Sequence, residues 1–362
     1  MAAHIDPSRL RSLLIVKLSS IGDVVHALPV AVALRRRHPY AHITWAAEDW
    51  TAPLLHGHPA IDRVVTFPTM RWGSVDPTWF RSFKDAVRSL RSEPYDISID
   101  LQGLLKSAAV AVLSRAPVRI GIHEQREGAH LVSRAAPRPS GRLHVVEDYL
   151  RCAELLGASP TPVSFALPVQ SDAIASIAHK LSELQIPADG PLIVINPSAS
   201  VAWKTWPLPH WARVASALRA AGPVILVGGP AQKSRHAELA RQVSQPLYDL
   251  TGRTTLTELV ALLNRCAIHI APDTGSAHIA AALGRPVVSV YGPTPSWRKA
   301  PYGYEDLAVH GAGQCSVGCP RFCLRDRRCL PSTTDELIAR ARHVLTRAAP
   351  LRMQTGAGAA GG

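Results

Sequence analysis

The stretch HIAPDTGSAHIAAALGRPVVSV, residues 269–290, indicates the fold more clearly than any other part of this chain. It begins at the end of a short apolar run that stops at Pro272, and a helical pattern rich in Ala, Ile and Leu starts directly afterwards. Gly284 closes the helical pattern, and a second apolar run follows at residues 287–290. The order is strand, loop, helix, strand, which is typical of a parallel α/β sheet.

The loop of this stretch, Asp273-Thr274-Gly275, stands where a helix begins at the carboxyl edge of such a sheet. Helix N-terminal amides can hold a phosphate there, and Gly275 would let a ligand approach the backbone closely. A helix with Asp273 or Thr274 as an ordinary N-cap gives the same local pattern without any ligand. The loop alone therefore leaves a phosphate site and a capped helix as alternatives.

A second pattern of strand, loop and helix opens the chain. Residues 13–18 form an apolar run with one charge, the loop Ser19-Ser20-Ile21-Gly22-Asp23 follows, and a segment with helical periodicity continues to residue 34. Asp23 is expected in the first helical turn, where a carboxylate either stabilises the helix dipole or points into a cleft. Position alone favours the role in the helix dipole.

The alternation of strands and helices extends over most of the chain. Further strands are predicted near residues 42–47, 63–67, 95–100, 192–195 and 224–227, and helices near residues 79–90, 104–113, 144–156, 210–221, 257–263 and 334–347. This alternation predicts an α/β fold with doubly wound parallel sheets. Prolines at residues 158–168 mark a linker. We therefore predict an N-terminal domain at residues 1–168, a C-terminal domain at residues 169–349 and a disordered tail at residues 350–362.

The chain carries 40 Lys and Arg against 27 Asp and Glu, a formal net charge of +13. This balance favours an anionic partner such as nucleic acid, a phosphorylated glycolipid or an anionic membrane surface. Arg71 and Arg126 lie in two basic segments interpreted as loops, residues 70–81 and 119–142. No apolar run approaches the roughly 18 residues of a membrane span, and the N-terminus lacks the apolar core of a secretory signal. We expect a cytoplasmic protein that touches a membrane at most peripherally.

Four cysteines lie close together in a segment rich in Gly and Arg: Cys315, Cys319, Cys323 and Cys329. Four thiolates at this separation can close a tetrahedral site for zinc or iron. Such a metal would be structural, because four thiolates leave no open position for a substrate. Since the spacing is not that of a standard CxxC pair, reduced surface thiols or adventitious disulfides are the alternative.

Five sequence blocks carry a resemblance to a known family. No GxGxxG follows the first strand, which argues against a dehydrogenase, and a Walker A motif is absent as well. The blocks are LIVKLSSIGDV at residues 14–24, DLQGLLKS at 100–107, WKTWP at 203–207, DTGSAH at 273–278 and YGPT at 291–294. In this order they resemble glycosyltransferase family 9, the lipopolysaccharide heptosyltransferases, and the first block is most similar to heptosyltransferase I.

The resemblance implies two Rossmann-like domains facing across a cleft, the glycosyltransferase B architecture. It also implies inverting transfer of heptose from ADP-L-glycero-D-manno-heptose to a hydroxyl of the lipopolysaccharide inner core, without a catalytic metal. The acceptor-activating Asp of the family corresponds to Asp23, and its leaving-group lysine corresponds to Lys204. A cation at Lys204 is chemically apt, because the diphosphate gains charge as the glycosidic bond breaks. Autotransporter heptosyltransferases hold iron in a four-cysteine finger, which the four cysteines here resemble.

The same resemblance assigns further residues to the two substrates. The expected donor-side residues are Ser198, Ser200, Gln232, Asp273, Thr274, Gly275 and His278, and the expected acceptor-side residues are Ser20, Gly22, Arg71, Gln102 and Arg126. Relatives often carry threonines where Ser198 and Ser200 stand. Relatives with heptosyltransferase I chemistry often carry a Glu where this chain has Gln232. The identity of the donor sugar nucleotide is therefore left open by this position.

Other functional classes fit part of the sequence. A nucleic-acid-binding protein would explain the net charge and the arginines around the cysteines, but it leaves Asp23, Lys204 and Asp273 without a role. A catalytically silent sugar-nucleotide-binding protein of the same fold would not need both Asp23 and Lys204. Within the family, the acceptor hydroxyl can belong to Kdo, to a first heptose, or to a protein or small molecule. We therefore expect an ADP-heptose donor, an anionic inner-core acceptor and no nucleic acid.

Overall fold

The computed structural model describes residues 10–69, 76–187, 190–201, 204–244, 247–292, 294–310 and 330–348. The chain divides into two compact units, Met1–Pro168 and Val169–Gly362. Each unit contains a six-stranded sheet in which all pairings are parallel. None of the described helices combines the length and the apolarity needed to cross a membrane.

The N-terminal unit is built around β1, whose residues Leu13 to Val16 are completely buried. Its strand order, β3-β2-β1-β4-β5-β6, is that of a Rossmann fold, and the order reverses between β1 and β4. Its elements are β1 (Ser12–Val16), α1 (Ile21–Arg37), β2 (His42–Glu48), β3 (Arg63–Phe67), α2 (Pro77–Leu90), β4 (Ile97–Asp100), α3 (Leu105–Leu113), β5 (Val118–Gly121), β6 (Arg134–Ala135) and α4 (Val145–Glu154).

The C-terminal unit repeats this topology around β7 and β10. Its order, β12-β11-β10-β7-β8-β9, reverses between those two strands. Its elements are α5 (Ser171–Glu183), β7 (Leu192–Ile195), α6 (Leu208–Leu218), β8 (Val224–Leu226), α7 (Lys233–Arg241), β9 (Tyr248–Asp249), α8 (Leu256–Arg265), β10 (Cys266–Pro272), α9 (Gly275–Ala282), β11 (Val287–Tyr291), α10 (Ser296–Lys299), β12 (Ala308–His310) and α11 (Leu330–Ala348). The predicted pair of Rossmann-like α/β domains is confirmed.

Residues 119–142, predicted as a loop, instead contain β5 in part and β6. The apolar residues Val118 and Ile120 flank Arg119. This charged residue interrupts the apolar run, so the sequence pattern does not indicate a strand. The Arg119 guanidinium donates to the carbonyls of Val132 and Ala116, at 2.8 and 2.9 Å. Arg119 therefore ties this segment together within the unit.

Topology explains where function is expected. In open parallel sheets, ligands bind outside the carboxyl ends of the strands at the point where the strand order reverses. The loops after β1 and β4 meet at this point in the N-terminal unit, and those after β7 and β10 meet there in the C-terminal unit. These four loops include four of the five sequence blocks that carry the family resemblance.

Candidate active site

An ion pair joins the two loops at the reversal point of the C-terminal unit. Lys204, which follows β7, places its Nζ 2.5 Å from Oδ2 of Asp273, which follows β10. The Asp273 side chain is 7% exposed and that of Lys204 is 21% exposed. The ammonium group is thus held by a buried carboxylate while part of the lysine side chain reaches solvent.

Asp273 is held in its charged form. Burial alone would raise the pKa of this carboxyl, but the hydrogen bond and charge of His278 and the charge and hydrogen bond of Lys204 lower it well below its usual range. The second carboxylate oxygen lies 3.6 Å from Nε2 of His278 in α9. Asp273 therefore connects Lys204 to the first turns of α9.

The start of α9 is fixed from beneath by a buried chain of hydrogen bonds. Ser276 Oγ lies 3.0 Å from His269 Nε2 and accepts from Asn196 Nδ2, also at 3.0 Å. His269 Nδ1 must donate to the carbonyl of Val194, because a carbonyl can only accept. Burial lowers the pKa of His269 to about 4, so its neutral ring accepts the Ser276 proton at Nε2. The chain links β7, β10 and α9 at this edge.

The N-terminus of α9 is suited to an anion. Within the described part of the chain, the side chain of Thr274 makes no capping hydrogen bond to this helix. The alternative of an ordinary Thr274 cap is therefore not what the structure shows. Gly275 opens the helix, and Gly284, at φ +70°, follows its end in the left-handed conformation that favours glycine. Asp273 thus connects Lys204 to the start of α9. A phosphate site uses such a combination of an ammonium group and helix N-terminal amides.

The remaining donor-side residues lie around the same edge with different exposures. Ser198 is buried, and its hydroxyl lies 2.8 Å from His236 Nε2, whose Nδ1 lies 2.7 Å from the Thr251 hydroxyl. Ser200 is exposed. Gln232 is half-buried, with Oε1 over the Gly228–Gly229 turn after β8. Donor contacts by Ser198, Ser200 and Gln232 stay predictions.

In the N-terminal unit, Asp23 lies in the first turn of α1, as expected. The Ser20 hydroxyl donates to Asp23 Oδ2 at 2.9 Å, and the Asp23 side chain is partly exposed. Gly22 is buried beside it. Gln102 supports this loop from β4, because its Oε1 accepts from the amide of Leu18 at 2.9 Å. Gln102 therefore positions the loop that carries Ser20 and Asp23.

Lys106 is a site residue that the sequence analysis did not single out. Its Nζ donates to Ser19 Oγ and to Glu48 Oε1, both at 2.8 Å. Glu48 is buried at the end of β2 and also accepts from Trp50 Nε1 at 2.7 Å. The signal was available, since Lys106 belongs to the block DLQGLLKS. Its ammonium group thus joins the Glu48 carboxylate to the loop that precedes Asp23.

Asp100, a second carboxylate at this edge, is completely buried. It accepts from the amides of Gln102 and Gly103 at 2.9 and 3.0 Å, and from the Ser107 hydroxyl at 2.9 Å. The pKa of Asp100 is raised, chiefly because the carboxyl is buried. These hydrogen bonds and the charge of Lys17 offset part of that rise. Because its buried carboxylate accepts all of these hydrogen bonds, Asp100 holds the turn between β4 and α3.

The other predicted residues are placed as follows. Arg126 is exposed, and its amide donates to the carbonyl of Gly103 at 2.8 Å, beside the turn held by Asp100. Arg71 and the four cysteines, Cys315, Cys319, Cys323 and Cys329, lie outside the described residues. Among the described residues, no group of three or more His, Cys, Asp or Glu side chains is arranged to hold a metal ion. The zinc or iron site stays a prediction.

The chain is similar to known proteins of one family. A family model described as glycosyltransferase family 9 (heptosyltransferase) matches residues 84–323. The chain is 30% identical over 304 residues to lipopolysaccharide heptosyltransferase 1 of Escherichia coli K12, covering 81% of this chain and 92% of the relative. It is 26% identical over 306 residues to the lipopolysaccharide core heptosyltransferase OpsX of Haemophilus influenzae, covering 83% and 84% of the two chains.

Solved structures show the same architecture. The structure of the E. coli heptosyltransferase WaaC with ADP superimposes with a TM-score of 0.68 at 28% identity, over 83% of this chain and 92% of that one. A glycosyl transferase family 9 structure from Veillonella parvula gives a TM-score of 0.78 at 20% identity, over 93% and 97% of the two chains. From the family model and the close relatives together, this chain belongs to glycosyltransferase family 9, the heptosyltransferase family, and is a glycosyltransferase.

Proposed function

We propose that the chain transfers heptose from ADP-L-glycero-D-manno-heptose to the inner core of lipopolysaccharide, with inversion at the anomeric carbon. The observation that carries the proposal is the Lys204–Asp273 pair beside the start of α9, which preorganises an ammonium group and helix amides at one sheet edge. The names of the relatives support the sugar and the acceptor: lipopolysaccharide heptosyltransferases 1, 2 and 3 all match this chain at 28% to 30% identity.

In the proposed reaction, ADP is the leaving group held by the C-terminal unit. The bond between the anomeric carbon and the β-phosphate oxygen breaks, so that negative charge accumulates on the diphosphate. The Lys204 ammonium and the first amides of α9 stabilise this charge most where it is greatest, in the transition state. We propose that this step uses no metal ion, as the family resemblance implies.

Asp23 takes the proton of the acceptor. As the acceptor oxygen forms its bond to the anomeric carbon from the face opposite ADP, its hydroxyl proton passes to the Asp23 carboxylate. The Ser20 hydroxyl donates to Oδ2 of this carboxylate, which orients it toward the acceptor. Lys106 donates to Ser19 and is paired with Glu48, so it helps to hold the loop that precedes Asp23.

The finer assignment concerns the acceptor and the donor. The first sequence block favours heptosyltransferase I, which places the first heptose on Kdo-lipid A, and addition to a first heptose is the nearest alternative. Gln232 stands where such relatives often carry Glu, so the donor sugar needs a direct test. We propose a cytoplasmic enzyme that works peripherally at the inner membrane, because its proposed acceptor is lipid-linked and the net charge of +13 fits an anionic surface.

Mass spectrometry of the product tests the proposal. The chain is incubated with ADP-heptose and, separately, with ADP-glucose, each with Kdo-lipid A and with a heptosylated core. The proposal expects one heptose added to Kdo-lipid A and release of ADP. Addition only to the heptosylated core would make it a later-acting heptosyltransferase, and transfer only to protein or small molecules would overturn the lipopolysaccharide acceptor. Transfer from ADP-glucose alone would overturn the donor.

A further inference from the structure

Helix α2 of the N-terminal unit has two faces of different chemistry. Its inner face packs on the core through Phe83, Ala86, Val87 and Leu90. Trp79 stacks on Phe83, with ring centroids 5.1 Å apart and planes at 11°. These positions recur at the helical spacing of an amphipathic helix and account for its apolar residues except one.

The exception is Phe80, whose side chain is 61% exposed. Phe80, Lys84 and Arg88 are spaced four residues apart, so they lie on one outward face of the helix, and Arg81 adjoins them. All four are exposed. Asp85 pairs with Arg88 at 2.5 Å and is the one acidic residue within α2, so this face is net positive.

We propose that Phe80, Arg81, Lys84 and Arg88, the α2 docking face, bind an anionic lipid bilayer surface. An exposed aromatic ring beside lysine and arginine matches the boundary between headgroups and acyl chains, where the ring buries and the cations meet lipid phosphates. One ring is too little for the apolar centre of a stable protein interface. The proposal rests on the peripheral membrane location within the proposed function, names the surface that carries it, and needs neither donor nor acceptor.

Vesicle flotation of the full-length chain tests this surface. Vesicles of phosphatidylcholine are compared with vesicles that contain phosphatidylglycerol at about one lipid in three, at low salt and at high salt. We expect binding to the anionic vesicles. This binding should weaken in high salt, because salt screens the attraction between basic side chains and lipid phosphates. Each basic residue near an anionic leaflet contributes about fivefold to partitioning, so Lys84→Glu should lower it at least about fivefold. Phe80→Ser should lower it at both salt concentrations.

Matched variants separate this face from general charge and exposure. Tyr40→Ser removes another aromatic side chain, which is 98% exposed, and Arg241→Glu reverses an exposed charge on α7. Both should bind vesicles like the wild type, and all four variants should keep its melting temperature.

The proposal is overturned if the wild type does not float with anionic vesicles, or if the control variants lose as much binding as Phe80→Ser and Lys84→Glu. Sedimentation without lipid is the second measurement, and a dimer that Phe80→Ser dissociates would assign the face to a second copy of the chain instead. Failure of heptose transfer would leave these results unaffected, because vesicle binding is measured without substrates.

Discussion

Asp23, in the first turn of α1, and Asp100, at the end of β4, lie at the same sheet edge, and their surroundings suit them to different roles. The Asp100 carboxylate is completely buried and accepts two backbone amides and a hydroxyl. The Asp23 carboxylate is partly exposed and accepts from Ser20. A general base must reach a substrate proton, so Asp23 qualifies and Asp100 does not.

Asp23→Asn should therefore lower turnover by about 100-fold or more, with a nearly unchanged melting temperature. Asparagine keeps the size of the side chain and can still accept from Ser20, but it cannot take a proton. Asp100→Ala is the contrasting variant, expected to cost about 1 to 3 kcal/mol of unfolding free energy because two buried amides lose their acceptor. Near-normal turnover of Asp23→Asn at saturating acceptor would leave Asp23 only a helix-stabilising role, worth about 0.3 to 1 kcal/mol.

Lys204→Ala should weaken ADP binding by about 1.5 to 3 kcal/mol, roughly 10- to 150-fold, since a charge-assisted contact to the diphosphate is lost. Titration calorimetry measures this directly. Lys180→Ala is the control, because Lys180 makes a similar ion pair in the same unit, 2.6 Å from Glu258, but lies on α5. Equal ADP affinities of the wild type and Lys204→Ala would exclude Lys204 from the donor site.

Sequence patterns identified single residues of the site better than their partners. Asp23, Lys204 and Asp273 stand in recognisable blocks, and each lies after a strand as predicted. The ion pair between Lys204 and Asp273 spans 69 residues of sequence, and it exists only because β7 and β10 are adjacent. Lys106 was missed for the same reason, since its partners Ser19 and Glu48 lie after β1 and at the end of β2.

At the scale of elements, the start of α9 depends on a neutral histidine. His269 in β10 and His236 in α7 both have a pKa lowered to about 4, chiefly by burial. His236 is hydrogen-bonded to the Ser198 hydroxyl, and His269 is hydrogen-bonded to the Ser276 hydroxyl at the start of α9. Protonation of either ring would remove its one acceptor nitrogen, so the hydrogen bond that this nitrogen accepts would be lost.

Stability should consequently fall as the pH is lowered from 7.5 to 5. The unfolded chain binds a proton at each histidine below its ordinary pKa of about 6.5, whereas the folded chain does not until about pH 4. At pH 5 each histidine should cost about 2 kcal/mol, and urea unfolding at the two pH values measures the sum. His236→Gln should make the dependence shallower, and His179→Gln, at an exposed site, should not. A flat profile would contradict neutral buried histidines.

The four-cysteine segment makes an element-scale prediction from sequence alone. If Cys315, Cys319, Cys323 and Cys329 hold a structural zinc or iron, protein purified without chelator should contain about one metal per chain by elemental analysis. Removal of the metal should lower the melting temperature, because metal binding is linked to folding. Cys152→Ser is the control and should keep the metal, since Cys152 is a buried thiol of the N-terminal unit outside the four-cysteine segment. Four titratable thiols in a metal-free, fully active preparation would rule the site out.

Elements with a clear apolar pattern were predictable, including the three-residue strand β8, whereas the two-residue strands were not. Strands β1, β2, β3, β7 and β10 and helices α1, α3 and α11 follow clear apolar patterns. The two-residue strands β6 and β9 carry too few side chains for any pattern and form because a neighbouring strand offers its edge. Helix α5 buries Ala173, Ile177 and Leu181 at a regular spacing of four, yet it follows the proline-rich segment and was not predicted.

For the whole molecule, the net charge of +13 has a kinetic consequence. A positive field accelerates the encounter with an anionic acceptor, and salt screens that field over a Debye length of about 10 Å at 0.1 M. We expect kcat/KM for the acceptor to fall as salt is raised from about 0.05 to 0.5 M, and to fall more steeply for acceptors with more phosphate and carboxylate groups. Initial rates at saturating ADP-heptose, with two truncated acceptors of different charge, measure this slope. Because the donor is the same in both series, its own salt dependence cancels in the comparison. Identical slopes for the two acceptors would show that the basic charge of the chain does not serve acceptor capture.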